Sequence, residues 1–153
     1  MQSLRPDSKA EKMNRTRQIL KIAAVVAAAV MAQGCGGGNV QDARKVATDF
    51  ANAYYSADYE TAAGLCSPEL EAMVRESGGL IDSLPEPVRA EFMELSRGMN
   101  AYEGEVHVWT RDSVTVDFDI LYPGEMEPMK TSLTVVRTSG DGMWHVVYAQ
   151  ERE

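Results

Sequence analysis

The pattern of hydrophobic and polar residues divides the chain into three parts. Eleven apolar residues run without interruption over residues 22–32. Apolar residues then recur every three or four positions over residues 40–99, and over residues 102–148 they alternate with polar ones. The first spacing is typical of helices with one buried side, and the second of strands with one buried face. The pattern therefore predicts an apolar leader, then helices, then a sheet.

Two helices are predicted at the start of the helical part. Apolar residues lie on one side of residues 40–57, and Asn39 followed by Asp42 is a variant of the capping box that opens a helix. Asp58 is placed to cap a second, short helix over residues 59–65. We therefore expect one long amphipathic helix followed directly by a short one.

Two further helices follow in the sequence. Ser67 before Pro68 is the pairing of an N-cap with a proline at the first helical position, and the glycine pair 78–79 is expected to end that helix. The last helix is expected to begin near Pro85. Its apolar stripe consists of Val88, Phe92, Leu95 and Met99.

Four strands are predicted after the helices. Turn-forming residues separate the alternating segments at residues 111–112, 122–128 and 139–142. Short connections between consecutive strands produce an antiparallel meander. Helices first and strands second predict one α+β domain over residues 40–153, with the helices packed on one face of a curved sheet of about four strands. The residues expected inside are Phe50, Phe92, Val116, Leu133 and Val146.

Charge is distributed unevenly along the chain. The first 34 residues contain six basic and two acidic side chains, a charge of +4, so the remainder carries −12 of the total of −8. A domain this acidic is unsuited to binding nucleic acid or anionic lipid through its surface. The positive charges precede the apolar run, on the side of a leader that stays in the cytoplasm. The domain after the leader is therefore expected to be exported.

The apolar run ends at Ala32-Gln33-Gly34-Cys35, which resembles the lipobox of bacterial lipoproteins. The run is shorter than the roughly 20 apolar residues of a transmembrane helix and has the length of a signal-peptide core. The resemblance implies a signal peptide over residues 1–34, with Met13 as the expected true start, and lipid attachment at Cys35. A glycine-rich tether over residues 35–39 follows. Glycine after the cysteine implies, by resemblance to enterobacterial sorting, the periplasmic face of the outer membrane.

Cys66 is the only other cysteine. Its neighbours, Ala62-Ala63-Gly64-Leu65, favour a buried thiol that behaves as a small hydrophobic residue. The sequence contains no Cys-x-x-Cys, no His-Glu-x-x-His and no linear cluster of metal ligands. We therefore expect neither a cofactor nor a metal.

Two further segments are distinctive. The first is Phe50-x-x-Ala53-Tyr54-Tyr55-Ser56-Ala57-Asp58-Tyr59, at the end of the first predicted helix, and the second is Leu133-Thr134-Val135-Val136 with Gly142-Met143-Trp144-His145-Val146, at the predicted closing hairpin. Both resemble segments of the exported α+β domains of the nuclear-transport-factor-2 and ketosteroid-isomerase superfamily, closest to lipoproteins of unknown function. The resemblance implies a cone-shaped fold whose open end often leaves a cavity. The acid–base residues of ketosteroid isomerases do not map onto this chain, so no catalytic residue is assigned.

His107 and His145 are the two side chains whose ordinary pKa allows acid–base chemistry at neutral pH. An even-length turn over residues 110–113 directs His107 and Trp109 to the half-buried face of the sheet, and an odd one directs them to the opposite face. A single bulge inverts this parity, so both alternatives stay open. Surface histidines are the favoured interpretation.

Acidic residues are concentrated on one predicted strand and the loop after it. They are Asp117, Asp119, Glu125 and Glu127. A calcium site needs about six to eight oxygen ligands gathered by a tight turn. Because the two aspartates alternate with apolar residues and no such turn follows, the sequence predicts a solvated strand face.

These observations favour a membrane-anchored envelope lipoprotein with a noncatalytic binding or accessory domain. The expected partners are the membrane, through the lipidated N-terminus, and a small hydrophobic ligand or an envelope protein. The alternatives are a small enzyme with its active site in the cone and a structural subunit that docks through the exposed sheet face. An apolar pocket is the default binding site in such a domain. The residues expected to line it are Tyr54, His107, Trp109 and Trp144.

Overall fold

The computed structural model describes residues 37–153, and within that range it contains four helices and four strands. The predicted signal peptide (residues 1–34), its alternative start at Met13 and lipid attachment at Cys35 lie outside the described residues. In chain order the elements are α1 (Gly37–Tyr55), α2 (Tyr59–Ala63), α3 (Pro68–Asp82), α4 (Glu86–Arg97), β1 (Asn100–Thr110), β2 (Ser113–Leu121), β3 (Met129–Arg137) and β4 (Trp144–Arg152).

The strands form one antiparallel sheet in the order β1-β2-β3-β4. Arg111 and Asp112 make the tightest connection, between the paired residues Thr110 and Ser113. The sheet is open, with β1 and β4 at its edges. The strand order confirms the predicted meander. Because the helices precede the strands in the chain, the predicted α+β class is confirmed as well.

The hydrophobic core combines small residues of α1 and α2 with alternate residues of the strands. Phe50, Val116, Leu133 and Val146 are fully buried, as predicted. Alternation is clearest on β2, where the residues facing the helices are buried at every second position. The strand members of the core are Val114, Val116, Phe118, Ile120, Leu133, Val135, Trp144 and Val146.

Phe92 departs from the prediction, because its side chain is only half-buried. It lies on α4, whose apolar stripe leaves Val88 and Leu95 exposed and whose one fully buried residue is Ser96. The helical period of the stripe was correctly interpreted, since α4 is a helix. The spacing of apolar residues does not predict how deeply a helix is buried. Helix α4 packs at the periphery of the domain.

The glycine pair 78–79 does not end a helix, because α3 continues to Asp82. A Cβ atom at Gly78 would lie 3.3 Å from the Cβ of Tyr59 on α2, closer than side chains normally approach. Glycine therefore allows α3 to pack against Tyr59. This close packing explains why glycine occurs inside α3, although glycine in a helix interior costs roughly 0.8–1 kcal/mol relative to alanine.

Helix α1 begins at Gly37, two residues before the predicted cap Asn39, and so includes most of the predicted tether over residues 35–39. The Asn39 side chain accepts a hydrogen bond from Nη1 of Arg137 on β3 at 3.0 Å, so it is engaged with the sheet. The two other predicted caps are confirmed. Asp58 accepts from the Thr61 amide at 3.2 Å, and Ser67 accepts from the Leu70 amide at 3.5 Å.

Cys66 is buried at the junction between the helices and the sheet, as its sequence context predicts. It forms an isolated bridge with Val146 of β4, and its thiol lies 3.3 Å from the Ala63 carbonyl oxygen, to which it donates. Burial raises the pKa of the Cys66 thiol. Because the thiolate is the nucleophilic form, both its burial and its raised pKa lower its reactivity.

We expect native Cys66 to react with an aromatic disulfide reagent at pH 8 far more slowly than the same thiol in the unfolded chain. Residues 36–153 suit this measurement, because Cys66 is then the only cysteine. Release of the coloured thiolate is followed with and without urea. Equal rates under the two conditions would show that the thiol is accessible in the folded domain.

Candidate functional site

The two faces of the sheet carry different chemistry, and each has a depression. One lies on the helix-facing side, between α1, α3 and the ends of β3 and β4, and is here called the helix–sheet cavity. The other is the outer face of the sheet, built from polar and aromatic side chains around Asp117. The candidate binding residues of this domain are therefore divided between two separate surfaces.

The helix–sheet cavity has a volume of about 380 Å³ and is open to solvent on one side. This volume is within the range of about 300–1,000 Å³ that is common for small-molecule sites. Met73 and Leu80 are each 63% exposed at its margin, so apolar surface continues from the cavity to the outside. Its apolar wall includes Phe50, Tyr54, Leu70, Met73, Val74 and Leu80.

The sequence positions these walls through two helical stripes that face each other. Phe50 and Tyr54 are four residues apart on α1, so their rings lie on one side and stack with centroids 5.6 Å apart. Leu70 and Val74 follow the same spacing on α3. The cavity is the space left between these two stripes and the ends of β3 and β4.

Hydroxyl groups form a hydrogen-bonded chain in and beside the cavity wall. The Tyr55 hydroxyl donates to Oγ1 of Thr131 at 3.1 Å, and Thr131 donates to the Gln150 carbonyl oxygen at 3.2 Å. Tyr122 donates to the Tyr55 carbonyl oxygen nearby at 3.2 Å. Burial raises the pKa of Tyr55 and raises that of Tyr122 to about 12. Both phenols are therefore neutral hydrogen-bonding groups at physiological pH.

Two carboxylates lie among the residues that line the cavity, those of Glu76 and Glu151, and both residues are exposed. Among the described residues that line it, none is lysine or arginine. The cavity thus joins an apolar wall and neutral hydroxyls to a negatively charged margin. It suits an apolar group that is uncharged or carries positive charge at the entrance.

On the outer face, Asp117 is the centre of a hydrogen-bonded cluster. Its Oδ1 accepts from Ser132 at 2.6 Å, and its Oδ2 lies 3.3 Å from Nε2 of His107 and 3.2 Å from Nη1 of Arg152. Burial alone would raise the pKa of Asp117, but the contacts with Ser132, His107 and Arg152 lower it. Asp117 is therefore ionised at neutral pH.

The burial of Asp117 shows that the prediction of a solvated strand face is wrong at this residue. It is 7% exposed, whereas Glu125 and Glu127 of the following loop are exposed, as predicted. The reason is cross-strand pairing. Ser132 lies directly opposite Asp117, and His107 and Arg152 reach it from the two edge strands, so the carboxylate is covered from three sides.

Strand irregularities place His107 and Trp109 on the outer face. His107 pairs with Thr115, on the face opposite the buried Val116, and the pairing of β1 with β2 shifts again between Val108 and Thr110. The Trp109 indole donates to Oγ1 of Thr115 at 2.8 Å, and its ring stacks beside that of His107 with centroids 6.2 Å apart. The turn itself is even in length, but the bulge between Val108 and Thr110 inverts its parity, so His107 and Trp109 lie on the face opposite the core.

The outer face is not arranged as a nucleophilic triad. The Ser132 hydroxyl donates to Asp117 rather than to His107, so the serine and the histidine contact the same carboxylate. A serine nucleophile requires a hydrogen bond to the base that removes its proton. Asp117, Ser132 and His107 therefore lack the connection that this chemistry needs.

The four residues expected to line one pocket lie in three places. Tyr54 lines the helix–sheet cavity, while His107 and Trp109 line the outer-face depression. Trp144 is buried in the core, with the Arg137 guanidinium 5.7 Å from its ring centroid. His145, the other candidate acid–base residue, lies 3.2 Å from Asp141 in the β3–β4 connection.

Comparisons with known proteins do not assign the chain to a family. It matches no model of a known protein family, and a search of curated protein sequences finds no relative. The fold and site geometry therefore define the domain only as an α+β domain with an apolar cavity. The resemblance to the nuclear-transport-factor-2 superfamily stays a prediction.

Proposed function

We propose that this protein is a lipid-anchored lipoprotein of the bacterial envelope whose domain is a noncatalytic binding module, with the helix–sheet cavity as its binding site. The observation that carries the proposal is the apolar wall of this cavity, about 380 Å³ in volume, next to neutral hydroxyl groups. The bound group is an apolar part of a small molecule or an apolar side chain of an envelope protein. Membership of the nuclear-transport-factor-2 superfamily belongs to the same proposal.

Binding is favoured over catalysis by the groups that the cavity presents. A general acid or base must titrate near the working pH and reach the reacting atom. In the described part of the chain, the titratable groups on the inner wall of the cavity are the phenols of Tyr54 and Tyr55, and the raised pKa of Tyr55 keeps it protonated. Glu76 and Glu151 are exposed, and His107 and His145 lie elsewhere. A desolvated acid–base group facing the cavity would have favoured the enzyme alternative.

The structural-subunit alternative depends on an apolar sheet face, because docking surfaces are marked by contiguous apolar patches. The outer face instead presents a row of polar residues, with exposed Trp109 and Tyr148 on its two edge strands. Those polar residues include Thr115, Asp117, Asp119, Ser132, Thr134 and Gln150. This composition gives less support to docking than the cavity gives to ligand binding.

The anchor in this proposal is the lipid on Cys35. Among residues 37–153, no helix has the length and apolar character needed to cross a bilayer. Attachment of the domain to the membrane would then depend on the acyl chains, since each buried methylene contributes about 0.8 kcal/mol and two chains hold a protein stably.

Filling the cavity should weaken its ligand binding strongly. Ala149 lines the cavity and pairs with Leu133 on the helix-facing side of the sheet, so a phenyl ring at this position projects into the opening. We expect residues 36–153 to bind the uncharged fluorophore N-phenyl-1-naphthylamine at one site, and Ala149→Phe to weaken binding at least tenfold, about 1.4 kcal/mol. Fluorescence titration measures both affinities.

Ala90→Phe is the matched control, since Ala90 is exposed on α4 and is not among the cavity residues. It adds the same apolar surface elsewhere and should leave the affinity unchanged. Equal loss of binding in the two variants, or no loss in Ala149→Phe, would refute the cavity as the binding site.

A further inference from the structure

We propose that Glu105, His107 and Asp117 form a binding site for one divalent transition-metal ion of the Zn²⁺ type on the outer face of the sheet. Each residue offers one ligand atom, and the three atoms all lie within 4.8 Å of one another. The site is separate from the helix–sheet cavity, so this proposal does not depend on the proposed function.

The distances from His107 to the two carboxylates fit a metal of this size. Nε2 of His107 lies 3.3 Å from Oδ2 of Asp117 and 3.6 Å from Oε2 of Glu105. Zinc bonds to nitrogen and oxygen of about 2.0–2.2 Å in a tetrahedral arrangement separate neighbouring ligand atoms by about 3.3–3.6 Å. A metal ion could therefore be held with small movements of these side chains.

The donor set favours Zn²⁺ over the harder cations. Imidazole nitrogen is a good ligand for Zn²⁺ and neighbouring transition metals, and carboxylate oxygen completes many zinc sites. Ca²⁺ requires about six to eight oxygen ligands, more than two carboxylates provide. Three protein ligands leave a fourth tetrahedral position for water.

The sheet already holds the Asp117 carboxylate in one orientation. Asp117 is 7% exposed, and the 2.6 Å hydrogen bond from Ser132 occupies Oδ1, leaving Oδ2 toward His107. Hydrogen bonds of this kind orient the ligands of metal sites and raise their affinity. The site thus has a fixed ligand and a supporting partner on two central strands.

A β-bulge brings Glu105 to the same position. The pairing of β1 with β2 shifts between Glu103 and Val106, opposite Asp117. Gly104 lies in this bulge, and a Cβ atom there would be 3.4 Å from the Asp117 carbonyl oxygen. Bulges redirect side chains and are frequent beside functional sites. Here the bulge allows Glu105 and His107 to approach one carboxylate.

Arg152 is the group that competes with the metal. Its Nη1 lies 3.2 Å from Oδ2 of Asp117, the oxygen that the ion would use. Its side chain is 35% exposed near the end of β4, so it can turn toward solvent when the ion binds. The arginine should therefore weaken metal binding without preventing it, while the surrounding acidic domain attracts cations.

The test is a titration of the full chain, purified without a histidine tag and freed of metal by chelation, with Zn²⁺ in a calorimeter. We expect one ion per chain. His107→Ala and Glu105→Gln should each lower the affinity by about tenfold or more, since each removes a ligand outright and even loss of a supporting partner costs about 10–100-fold. Co²⁺ in place of Zn²⁺ should give the visible absorption of a tetrahedral site.

His145→Ala is the matched control. The chain has a second histidine–aspartate pair, His145 with Asp141 at 3.2 Å, and in the described residues this pair does not belong to a three-ligand group. Its loss should leave zinc binding unchanged, whereas Arg152→Gln should tighten it. The proposal is overturned if no ion binds, if His107→Ala binds like wild type, if His145→Ala is equally weakened, or if Arg152→Gln does not bind more tightly.

Discussion

Replacing Phe50 with alanine should lower the free energy of unfolding by about 3–5 kcal/mol, the usual cost of removing a fully buried phenylalanine. Phe50 is 1% exposed, stacks on Tyr54 and belongs both to the core and to the wall of the helix–sheet cavity. Its removal leaves space that the surrounding strands cannot fill without moving. Urea denaturation of residues 36–153 measures the change.

Phe92→Ala is the comparison that makes this result specific. Phe92 has the same side chain but is half-buried on the peripheral helix α4. Less apolar surface is lost and the neighbouring groups are free to close over it, so we expect a clearly smaller loss of stability. A Phe50 variant that unfolds at the same urea concentration as wild type would contradict the burial described here.

The sheet is predictable because its order is encoded locally. Alternation over residues 113–121 places every second side chain of β2 in the core, and the two-residue turn Arg111–Asp112 forces β1 and β2 to be neighbours. Longer connections, over residues 122–128 and 138–143, join each remaining strand to the next one in the chain. Pattern and turn therefore determine the class, the strand order and most of the core without reference to distant residues.

Gly78 and Phe92 mark the limit of that reasoning. The glycine resembles a helix stop, yet its role depends on Tyr59, nineteen positions earlier, which occupies the space that a side chain would need. Phe92 lies on a correctly predicted helix, but its burial depends on how closely α4 approaches the core. Both features depend on tertiary contacts, which the local spacing of apolar residues does not predict.

The outer-face cluster could not be predicted from linear motifs. Glu105 and His107 are two positions apart, but Asp117 joins them only through the register of β1 with β2 and the bulge at Gly104. A shift by one residue would direct the side chains to the other face. The signal available was the alternation of Asp117 with buried residues, which places it on the outer face but does not identify its neighbours.

The cavity was only partly predictable for a related reason. Tyr54 was expected in a pocket, and its place on the apolar side of the first helix follows from the spacing of residues 40–57. His107, Trp109 and Trp144 were expected in the same pocket because the resemblance implies a cavity at the open end of a cone, but they lie on the outer face and in the core. The volume of a cavity depends on how closely α1, α3 and the sheet approach, which is a property of packing and not of sequence period.

The second large effect expected is the loss of membrane attachment when Cys35 is replaced by serine. If the lipoprotein proposal is correct, the Cys35 thiol receives the diacylglycerol, and serine cannot take its place. Cells that express Cys35→Ser should incorporate no labelled fatty acid into the protein. The chain should then be found outside the membrane fraction or keep its uncleaved leader.

Cys66→Ser is the matched control, because it removes the other thiol of the chain and leaves Cys35 in place. It should incorporate fatty acid and remain with the membranes like wild type. Mass spectrometry of the wild-type protein should find a mature chain that begins at Cys35 and carries the added acyl chains. A mature chain that begins elsewhere, or fatty-acid labelling that persists in Cys35→Ser, would show that the anchor is not at Cys35. The proposed envelope function would then lose the membrane attachment on which it depends.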